Sequence, residues 1–224
     1  MRATIGLIMA GGRGSRMGAL TDAQHKCCLP VKGRPIVRHI IDRMHEAGIS
    51  DIRIACGYQA ESVKAIAKAD AMYFVEKEPM GTAAAIGQID TPHPIVVWNG
   101  DVLMRTPLVK ILDAHRDDAT IVAMKYEYQI PWGVVETDYY TERKKGRLVA
   151  MGVYEKPREY RMCAIGVYVI NPTMVTPRAK LDMPDMLNAM IARGKTVNVY
   201  DQGTDWIGID TPQDLERANE LAWL

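Results

Sequence analysis

A strand that runs directly into a glycine-rich turn limits what this chain can fold into. The apolar run Ile5–Ala10 is followed by Gly11-Gly12-Arg13-Gly14-Ser15-Arg16. Glycine permits positive φ and close backbone approach to a bulky group, and the freed amides can form an anion-binding concavity. A dinucleotide-binding loop would open directly into a helix, and a Walker-type loop needs Gly-Lys-Ser/Thr, which this turn lacks. The turn alone is equally consistent with an anion site and with a tight turn that carries two solvated arginines.

Strand and helix signals alternate along the first half of the chain, and the second half is richer in strands. Alternation at this spacing implies crossover connections and a mostly parallel sheet, so we predict an α/β fold. The predicted strands are 5–10, 52–56, 72–75, 95–98, 120–124, 132–137, 147–154, 164–170 and 196–200. The predicted helices are 35–47, 60–69, 82–89, 185–191 and 211–222, and 11–29 is predicted to be a loop.

Composition excludes several classes of protein. The chain has 224 residues, 48% hydrophobic and 25% charged, as in an ordinary globular domain and unlike a disordered or fibrous chain. Lys plus Arg number 28 and Asp plus Glu 27, which gives no general attraction to nucleic acid or membrane. None of the four cysteines forms a CxxC pair, so we expect reduced thiols in a cytoplasmic protein.

The segment after the glycine turn extends the pattern. It reads Lys26-Cys27-Cys28-Leu29-Pro30-Val31-Lys32-Gly33-Arg34-Pro35. Together the two segments resemble the opening signature of the nucleotide-sugar pyrophosphorylases, or sugar-phosphate nucleotidyltransferases: Ala-Gly-Gly-x-Gly-Thr/Ser-Arg, a spacer, then Lys-x-Leu-Leu-Pro-Val-x-Gly-x-Pro. The departure is Cys27-Cys28, where apolar residues are usual. Thiols are small and apolar enough for those positions.

This resemblance implies a fold and a division of the chain. The fold would be a Rossmann-like three-layer α/β/α nucleotidyltransferase fold, with a mostly parallel central sheet and a β-rich acceptor-binding region. We expect a single domain over 1–224, with a nucleotide-binding half at about 1–105 and an acceptor-binding half at about 106–224.

The resemblance also implies roles for residues of the first half. Arg16 and Lys26 would be the catalytic cations on the triphosphate, both on a solvent-facing loop; the alternative for Lys26 is a solvated surface lysine. The segment Glu78-Pro79-Met80-Gly81-Thr82-Ala83 resembles the family's base-pocket segment, although taken alone it reads as a helix cap. The predicted nucleotide-binding residues are Ala10, Gly11, Gly12, Gly14, Ser15, Glu78, Gly81 and Thr82.

Two aspartates are candidate ligands for Mg²⁺. Asp101 follows the buried run 95–98, and ligands in open α/β sheets bind beyond the carboxyl ends of strands. The family uses the aspartate of this Gly-Asp pair for the metal. Asp210, just before a Thr-Pro helix start, would complete the pair, with Asp205 as the alternative. For both, the competing interpretation is a turn or helix-capping carboxylate.

The second half carries the predicted acceptor site. Trp132-Gly133-Val134-Val135 and Glu155-Lys156-Pro157 resemble family segments that face the sugar phosphate. By this resemblance Gly133 and Glu155 would meet the sugar, Lys156 its phosphate, and Gly166 the acceptor as well. The family often has Asn-Ala-Gly near Gly166, and here the asparagine is absent.

The resemblance as a whole implies a Mg²⁺-dependent nucleotidyltransferase that joins a nucleoside triphosphate to a sugar 1-phosphate. The Gly-Thr-Ala segment is most like that of guanylyltransferases. Two alternatives stay open: a cytidylyltransferase acting on a phospho-alcohol or phosphonate, and an inactive regulatory subunit that binds a nucleotide sugar. The expected partners are the nucleotide and a phosphorylated small molecule, without nucleic acid or membrane, and a homo-oligomer is left open.

Overall fold

The computed structural model describes residues 4–76, 78, 80–137, 148–172 and 180–224. Its strands are, in chain order, β1 (Ile5–Ala10), β2 (Pro30–Val31), β3 (Arg34–Pro35), β4 (Asp51–Cys56), β5 (Met72–Val75), β6 (Ile95–Asn99), β7 (Val102–Met104), β8 (Ala119–Gln129), β9 (Val134–Thr137), β10 (Ala150–Tyr154), β11 (Arg158–Ile170), β12 (Val197–Asp201) and β13 (Trp206–Gly208). Its α-helices are α1 (Ile36–Glu46), α2 (Ala60–Ala67), α3 (Leu108–Ala114), α4 (Met183–Ala192) and α5 (Pro212–Glu220). Short 3₁₀ helices cover Ser15–Thr21, Lys26–Cys28, Lys68–Asp70 and Ala84–Gln88.

The chain folds into two compact units. The first comprises Met1–Ala123 and Ala164–Leu224, and the second is Met124–Cys163. A seven-stranded sheet has the order β12-β8-β11-β6-β1-β4-β5. Strand β1 is parallel to β4 and β6, β4 to β5, and β12 to β8, while β11 is antiparallel to β6. The predicted mostly parallel sheet is therefore confirmed.

Helices cover both faces of this sheet. On one face, Leu7 of β1 shares a core with Met186 and Met190 of α4. On the other face, α1 packs so closely that a Cβ at Gly6 would lie 2.5 Å from the Met44 Sδ atom. Because successive strand residues point to opposite faces, Gly6 and Leu7 place α1 and α4 on opposite sides. The three-layer α/β/α arrangement expected from the resemblance is confirmed.

Helix α1 shows how the sequence specifies these elements. Its apolar residues recur at helical spacing, and Ile36, Ile40 and Met44 are fully buried. Gly48, with φ of 77°, follows the helix, and its amide donates to the His45 carbonyl oxygen over 2.8 Å. A glycine in the left-handed conformation is a common way to end a helix.

Several predicted elements differ from the observed ones. The helix predicted at 82–89 is only a 3₁₀ helix, Ala84–Gln88, in which the Ile86 and Ile89 amides donate to carbonyl oxygens three residues earlier. The segment 11–29, predicted to be a loop, contains two 3₁₀ helices. Helix α3 and the short strands β2, β3, β7 and β13 were not predicted.

The second unit contains an antiparallel pair of strands. Strand β9 pairs with β10, with Val134 opposite Tyr154. In the sequence, the long strand β8 precedes this pair and the long strand β11 follows it, and part of each long strand belongs to the second unit. This matches the β-rich region expected from the resemblance. Arg147, where the strand predicted at 147–154 begins, lies outside the described residues.

Candidate active site

Two short strands bring Asp101 and Asp210 together at the carboxyl end of β6. Asp101 lies in the turn between β6 and β7. Strand β7 pairs with β13, with Val102 opposite Gly208. The Ile209 amide then donates to the Asp101 carbonyl oxygen over 2.8 Å. Asp210, the next residue, is thereby held beside Asp101, at the edge of the sheet where open α/β folds bind their ligands.

Lys26 and Arg16 complete a cluster of alternating charge. Lys26 Nζ donates to Asp101 Oδ2 over 2.5 Å and to Asp210 Oδ1 over 2.9 Å. Arg16 Nη2 donates to the same Asp210 oxygen over 2.9 Å. Burial alone would lower the pKa of Lys26, but Asp101 and Asp210 outweigh it and hold this pKa above its ordinary value. The lysine is therefore a fixed positive charge at neutral pH.

The two cations differ in their exposure. The Lys26 side chain is 11% exposed and that of Arg16 is 70% exposed. The expectation that both lie on a solvent-facing loop is wrong for Lys26, because the 3₁₀ turn Lys26–Cys28 carries it inward against two carboxylates. Lys26 therefore holds two carboxylates together in the folded protein and is also a candidate catalytic cation.

A buried histidine connects the lysine turn to the glycine turn. The Cys27 amide donates to Nδ1 of His25, which makes Nδ1 the unprotonated nitrogen. Nε2 then carries the proton and donates to the Gly12 carbonyl oxygen over 2.8 Å. Burial is the main cause that lowers the pKa of His25, so the ring is neutral at pH 7. The sequence suggested no role for His25, because its contacts depend on the fold.

Asp210 is fixed by the start of α5. Thr211 is the N-cap of this helix and forms a capping box with Asp214. The Asp214 Oδ2 atom accepts hydrogen bonds from the Asp210 amide, the Thr211 amide and the Thr211 hydroxyl. The Thr-Pro-Gln-Asp run is a sequence signal for this box. Asp214 thus orients the backbone of Asp210.

A cavity of about 570 Å³ opens beside this cluster, with Asp101 in its wall. The glycine turn forms one side, and the segments after β4 and β5 form others. Its described lining is Met9, Gly11, Gly12, Arg13, Gly57, Tyr58, Glu76, Glu78, Gly81, Thr82, Asn99 and Asp101. Of the predicted nucleotide-binding residues, the lining thus includes Gly11, Gly12, Glu78, Gly81 and Thr82 and, within the described chain, leaves out Ala10, Gly14 and Ser15.

Residues 5–222 match the family model for nucleotidyl transferases. The chain belongs to the nucleotidyl transferase family. The resemblance to nucleotide-sugar pyrophosphorylases seen in the sequence is therefore confirmed.

Curated relatives and solved structures agree with this membership. The mannose-1-phosphate guanyltransferases of Debaryomyces hansenii and Saccharomyces cerevisiae are 30% and 29% identical over 94% of this chain. The chain spans 62% of the length of each of these relatives. A glucose-1-phosphate thymidylyltransferase structure from Bacillus anthracis has a TM-score of 0.75 at 22% identity, covering 99% of this chain and 96% of its own. HddC from Yersinia pseudotuberculosis, solved with GMP-PN, has a TM-score of 0.68 at 19% identity, covering 98% and 99%.

The segment around Gly81 is attached to the start of α4 in this nucleotidyl transferase. The Leu181 amide donates to the Met80 carbonyl oxygen, and the Thr82 amide donates to Asp182 Oδ1. Gly81 has φ of 93°, and a Cβ there would lie 2.4 Å from the Leu181 carbonyl oxygen. Only glycine fits this position. Gly81 therefore shapes the cavity wall by allowing close packing.

Glu76 is a cavity residue that sequence reasoning missed. Its Oε1 atom is buried and has no hydrogen-bond partner among the described residues. Burial raises the pKa of Glu76, partly offset by a hydrogen bond from the Met80 backbone. A Cβ at Gly11 would lie 3.3 Å from the Glu76 Oε2 atom, so the carboxylate faces the glycine turn. It lies next to the predicted base-pocket segment, which was the available signal.

The predicted acceptor residues fall into two places. Within the second unit, Glu155 Oε1 lies 3.8 Å from Lys156 Nζ, and a Cβ at Gly133 would lie 3.5 Å from Glu155 Oε2. Gly166 lies in the first unit with φ of 92°, and a Cβ there would lie 2.5 Å from the Asn99 Nδ2 atom. Asn99 also lines the cavity. Gly166 thus leaves room for Asn99, and the acceptor roles stay predictions.

Asp205 is separate from the charged cluster. Its carboxylate accepts from Arg105 Nη1 over 3.3 Å, on the surface. Asp210, by contrast, shares Lys26 with Asp101. The geometry therefore favours Asp210 over Asp205 as the partner of Asp101.

Two further observations concern the cysteine thiols and the helices. All four cysteines lie in the described part of the chain and carry free thiols. No helix in the described ranges has the length and apolar character needed to span a membrane.

Proposed function

We propose that this protein joins a nucleoside triphosphate to a sugar 1-phosphate, giving an NDP-sugar and pyrophosphate. The observation that carries the proposal is the cluster of Lys26, Arg16, Asp101 and Asp210, of which Asp101 lines the glycine-turn cavity. Phosphoryl and nucleotidyl transfers depend mainly on positioning and on stabilising developing negative charge. Two fixed cations and two carboxylates beside an anion-binding turn supply those needs.

The proposed reaction is a single in-line displacement. A sugar-phosphate oxygen attacks the α-phosphorus, a new P–O bond forms, and the bond from the α-phosphorus to the β-phosphate oxygen breaks. The electron pair leaves with pyrophosphate, and no proton needs to move because the attacking phosphate oxygen is already anionic. Lys26 and Arg16 are placed to stabilise charge on the phosphates. No described histidine or cysteine is required as a nucleophile.

Asp101 and Asp210 fit a Mg²⁺ ion. Lys26 bonds to Asp101 Oδ2 and Asp210 Oδ1, which holds the two carboxylates side by side, and the second oxygen of each carboxylate has no described hydrogen bond. Mg²⁺ prefers hard oxygen ligands and often binds through one or two carboxylates plus substrate phosphates. When bound, the metal would neutralise negative charge on the phosphates of the nucleotide. We expect EDTA to abolish pyrophosphate release and Mg²⁺ to restore it.

Glu76 favours guanine as the base. A carboxylate only accepts hydrogen bonds, and guanine offers two adjacent donors, N1–H and the N2 amino group, on one edge. Cytosine and adenine place a lone-pair nitrogen beside their amino group, which would face the carboxylate unfavourably. The buried Glu76 Oε1 atom lacks a described donor and so suits a donor-rich base. The guanyltransferases among the relatives support the same choice.

A hexose 1-phosphate is the proposed acceptor, with mannose 1-phosphate the first compound to try because of the relatives. Glu155 and Lys156 are proposed to meet its hydroxyls and phosphate. The departure near Gly166, where the family's asparagine is absent, concerns the part of the sequence assigned to the acceptor. A phospho-alcohol or phosphonate therefore belongs in the same test as the competing acceptor class.

A pyrophosphate-release screen tests the proposal. GTP, CTP, ATP, UTP and dTTP are each combined with hexose 1-phosphates, phosphocholine, neutral phospho-alcohols and a phosphonate. We expect GTP with a hexose 1-phosphate to react fastest. Glu76→Gln should reduce kcat/KM for GTP by about 10–100-fold, the loss for a charged hydrogen-bond partner. CTP with a phospho-alcohol as the best pair would establish the alternative, and no release from any pair would contradict both.

A further inference from the structure

One cation of the glycine turn is left without a described carboxylate. Arg16 and Lys26 are both paired with Asp210, and Lys26 with Asp101 as well. Arg13 lies on the same turn and lines the cavity. Within the described chain no ion pair involves Arg13. Its described contact is the ring of Tyr58, whose centroid lies 5.3 Å from the Arg13 Cζ atom.

Arg13 lies between two glycines of the turn that contact opposite ends of the site. Gly11 adjoins Glu76, since a Cβ there would lie 3.3 Å from the carboxylate. Gly14 adjoins Lys26, since a Cβ there would lie 3.2 Å from the lysine Cβ. Arg13 therefore lies on the stretch of backbone that connects the proposed base end of the cavity to the charged cluster.

The balance of charge indicates what Arg13 can bind. Two cations and two carboxylates give the cluster no net charge, whereas a nucleoside triphosphate carries several negative charges. An arginine fork can bind a phosphate through two parallel hydrogen bonds. The aromatic face of Tyr58 can hold the guanidinium at the rim without neutralising it. Arg13 is thus an exposed cation in the cavity wall without a described carboxylate partner.

We infer that Arg13, held by Tyr58, binds the β- and γ-phosphates of the nucleotide and the pyrophosphate that leaves. This inference rests on the proposed function of the same cavity. It assigns Arg13 to the part of the nucleotide that is absent from the NDP-sugar product. Arg13 therefore contributes to triphosphate and pyrophosphate affinity, and not to affinity for the nucleotide sugar.

The test compares binding of three ligands by four variants. Arg13→Gln removes the charge, Arg13→Lys keeps the charge without the fork, Tyr58→Leu removes the ring and Tyr58→Phe keeps it. For each, isothermal titration calorimetry measures the affinity for inorganic pyrophosphate, GTP and GDP-mannose. Arg43→Gln is a matched control, because Arg43 lies on α1 and pairs with Glu46. Thermal unfolding checks that each variant is folded.

We expect Arg13→Gln to weaken pyrophosphate and GTP binding by about 10–100-fold, as for a lost charged hydrogen-bond partner. GDP-mannose binding should change by less than about twofold. Arg13→Lys and Tyr58→Leu should lie between wild type and Arg13→Gln, while Tyr58→Phe and Arg43→Gln should match wild type.

Two results would overturn the inference. One is unchanged pyrophosphate affinity in Arg13→Gln, or no pyrophosphate binding by the wild type. The other is an equal loss for GDP-mannose, which would place Arg13 on the nucleoside monophosphate part. The calorimetry needs no turnover, so it decides the role of Arg13 even if the pyrophosphate-release screen rejects the proposed reaction. If the screen succeeds and Arg13→Gln binds normally, only this inference fails.

Discussion

Replacing Lys26 and Arg16 separately by methionine should separate chemistry from stability. Both cations face the phosphates in the proposed reaction, so each variant should lose about 10²–10³-fold in kcat, the usual cost of one electrostatic donor. Only Lys26→Met should also lose stability. Lys26→Met removes the ammonium group that Asp101 and Asp210 share, whereas Arg16 is 70% exposed and forms an ion pair at the surface.

The expected size of the stability loss follows from exposure. Removing one partner of a fully buried ion pair costs about 3–5 kcal/mol, and an exposed pair contributes about 0–1 kcal/mol. Asp101 and Asp210 are 29% and 39% exposed, so Lys26→Met should cost about 1–3 kcal/mol. At about 2–4 °C per kcal/mol for a chain of this size, Tm should fall measurably, and Arg16→Met should leave it nearly unchanged.

The assay combines pyrophosphate-release kinetics with calorimetric melting of both variants. Asp101→Asn combined with Lys26→Met should recover part of the lost stability, because it removes the carboxylate that Lys26→Met leaves without its described cation, whereas Asp210 keeps Arg16. Equal melting temperatures for Lys26→Met and wild type would show that the shared ammonium of Lys26 does not stabilise the fold. Wild-type turnover in Lys26→Met would remove this lysine from the mechanism.

Three further changes have expected outcomes. Gly81→Ala should lower the free energy of unfolding by about 2 kcal/mol or more, because the added Cβ would clash with the Leu181 carbonyl oxygen. Gly12→Ala is the control for thermal melting, because a Cβ at Gly12 meets nothing within 4 Å. Burial lowers the pKa of His25 in the folded protein. As the pH drops, the unfolded chain therefore takes up the histidine proton before the folded one, and the free energy of unfolding should decrease below about pH 6.5. A His25→Gln variant with the same pH dependence of Tm would exclude this cause. Lys156→Ala should raise the acceptor KM and spare the nucleotide KM, and the reverse pattern in steady-state kinetics would show that the acceptor assignment is wrong.

The parts of the fold that the sequence predicted are those with strong local patterns. Strand β1 and helix α1 have apolar residues at the spacing their structures require, so their bounds were close to the observed ones. Strands β7 and β13 have three residues each and are defined only by pairing with each other. No local pattern marks them, which is why they were missed.

The candidate site shows the same division. The motifs singled out Lys26, Asp101 and Asp210, and the structure brings all three together. The sequence left Asp205 open as the alternative to Asp210, and the β7–β13 pairing, which holds Ile209 against Asp101, brings Asp210 into the cluster. The roles of His25 and Glu76 depend on burial and on contacts with distant segments, which sequence spacing does not specify.

Asparagine substitution of three aspartates decides whether Asp101 and Asp210 act together in the proposed reaction. Acceptor-dependent pyrophosphate release is measured for Asp101→Asn, Asp210→Asn and, as the matched control, Asp205→Asn. An amide is a poor ligand for a hard cation and a weaker partner for lysine. We expect the first two variants to lose activity or to require much more Mg²⁺, while Asp205→Asn should turn over like wild type. Normal turnover in Asp101→Asn and Asp210→Asn, or loss only in Asp205→Asn, would contradict this expectation.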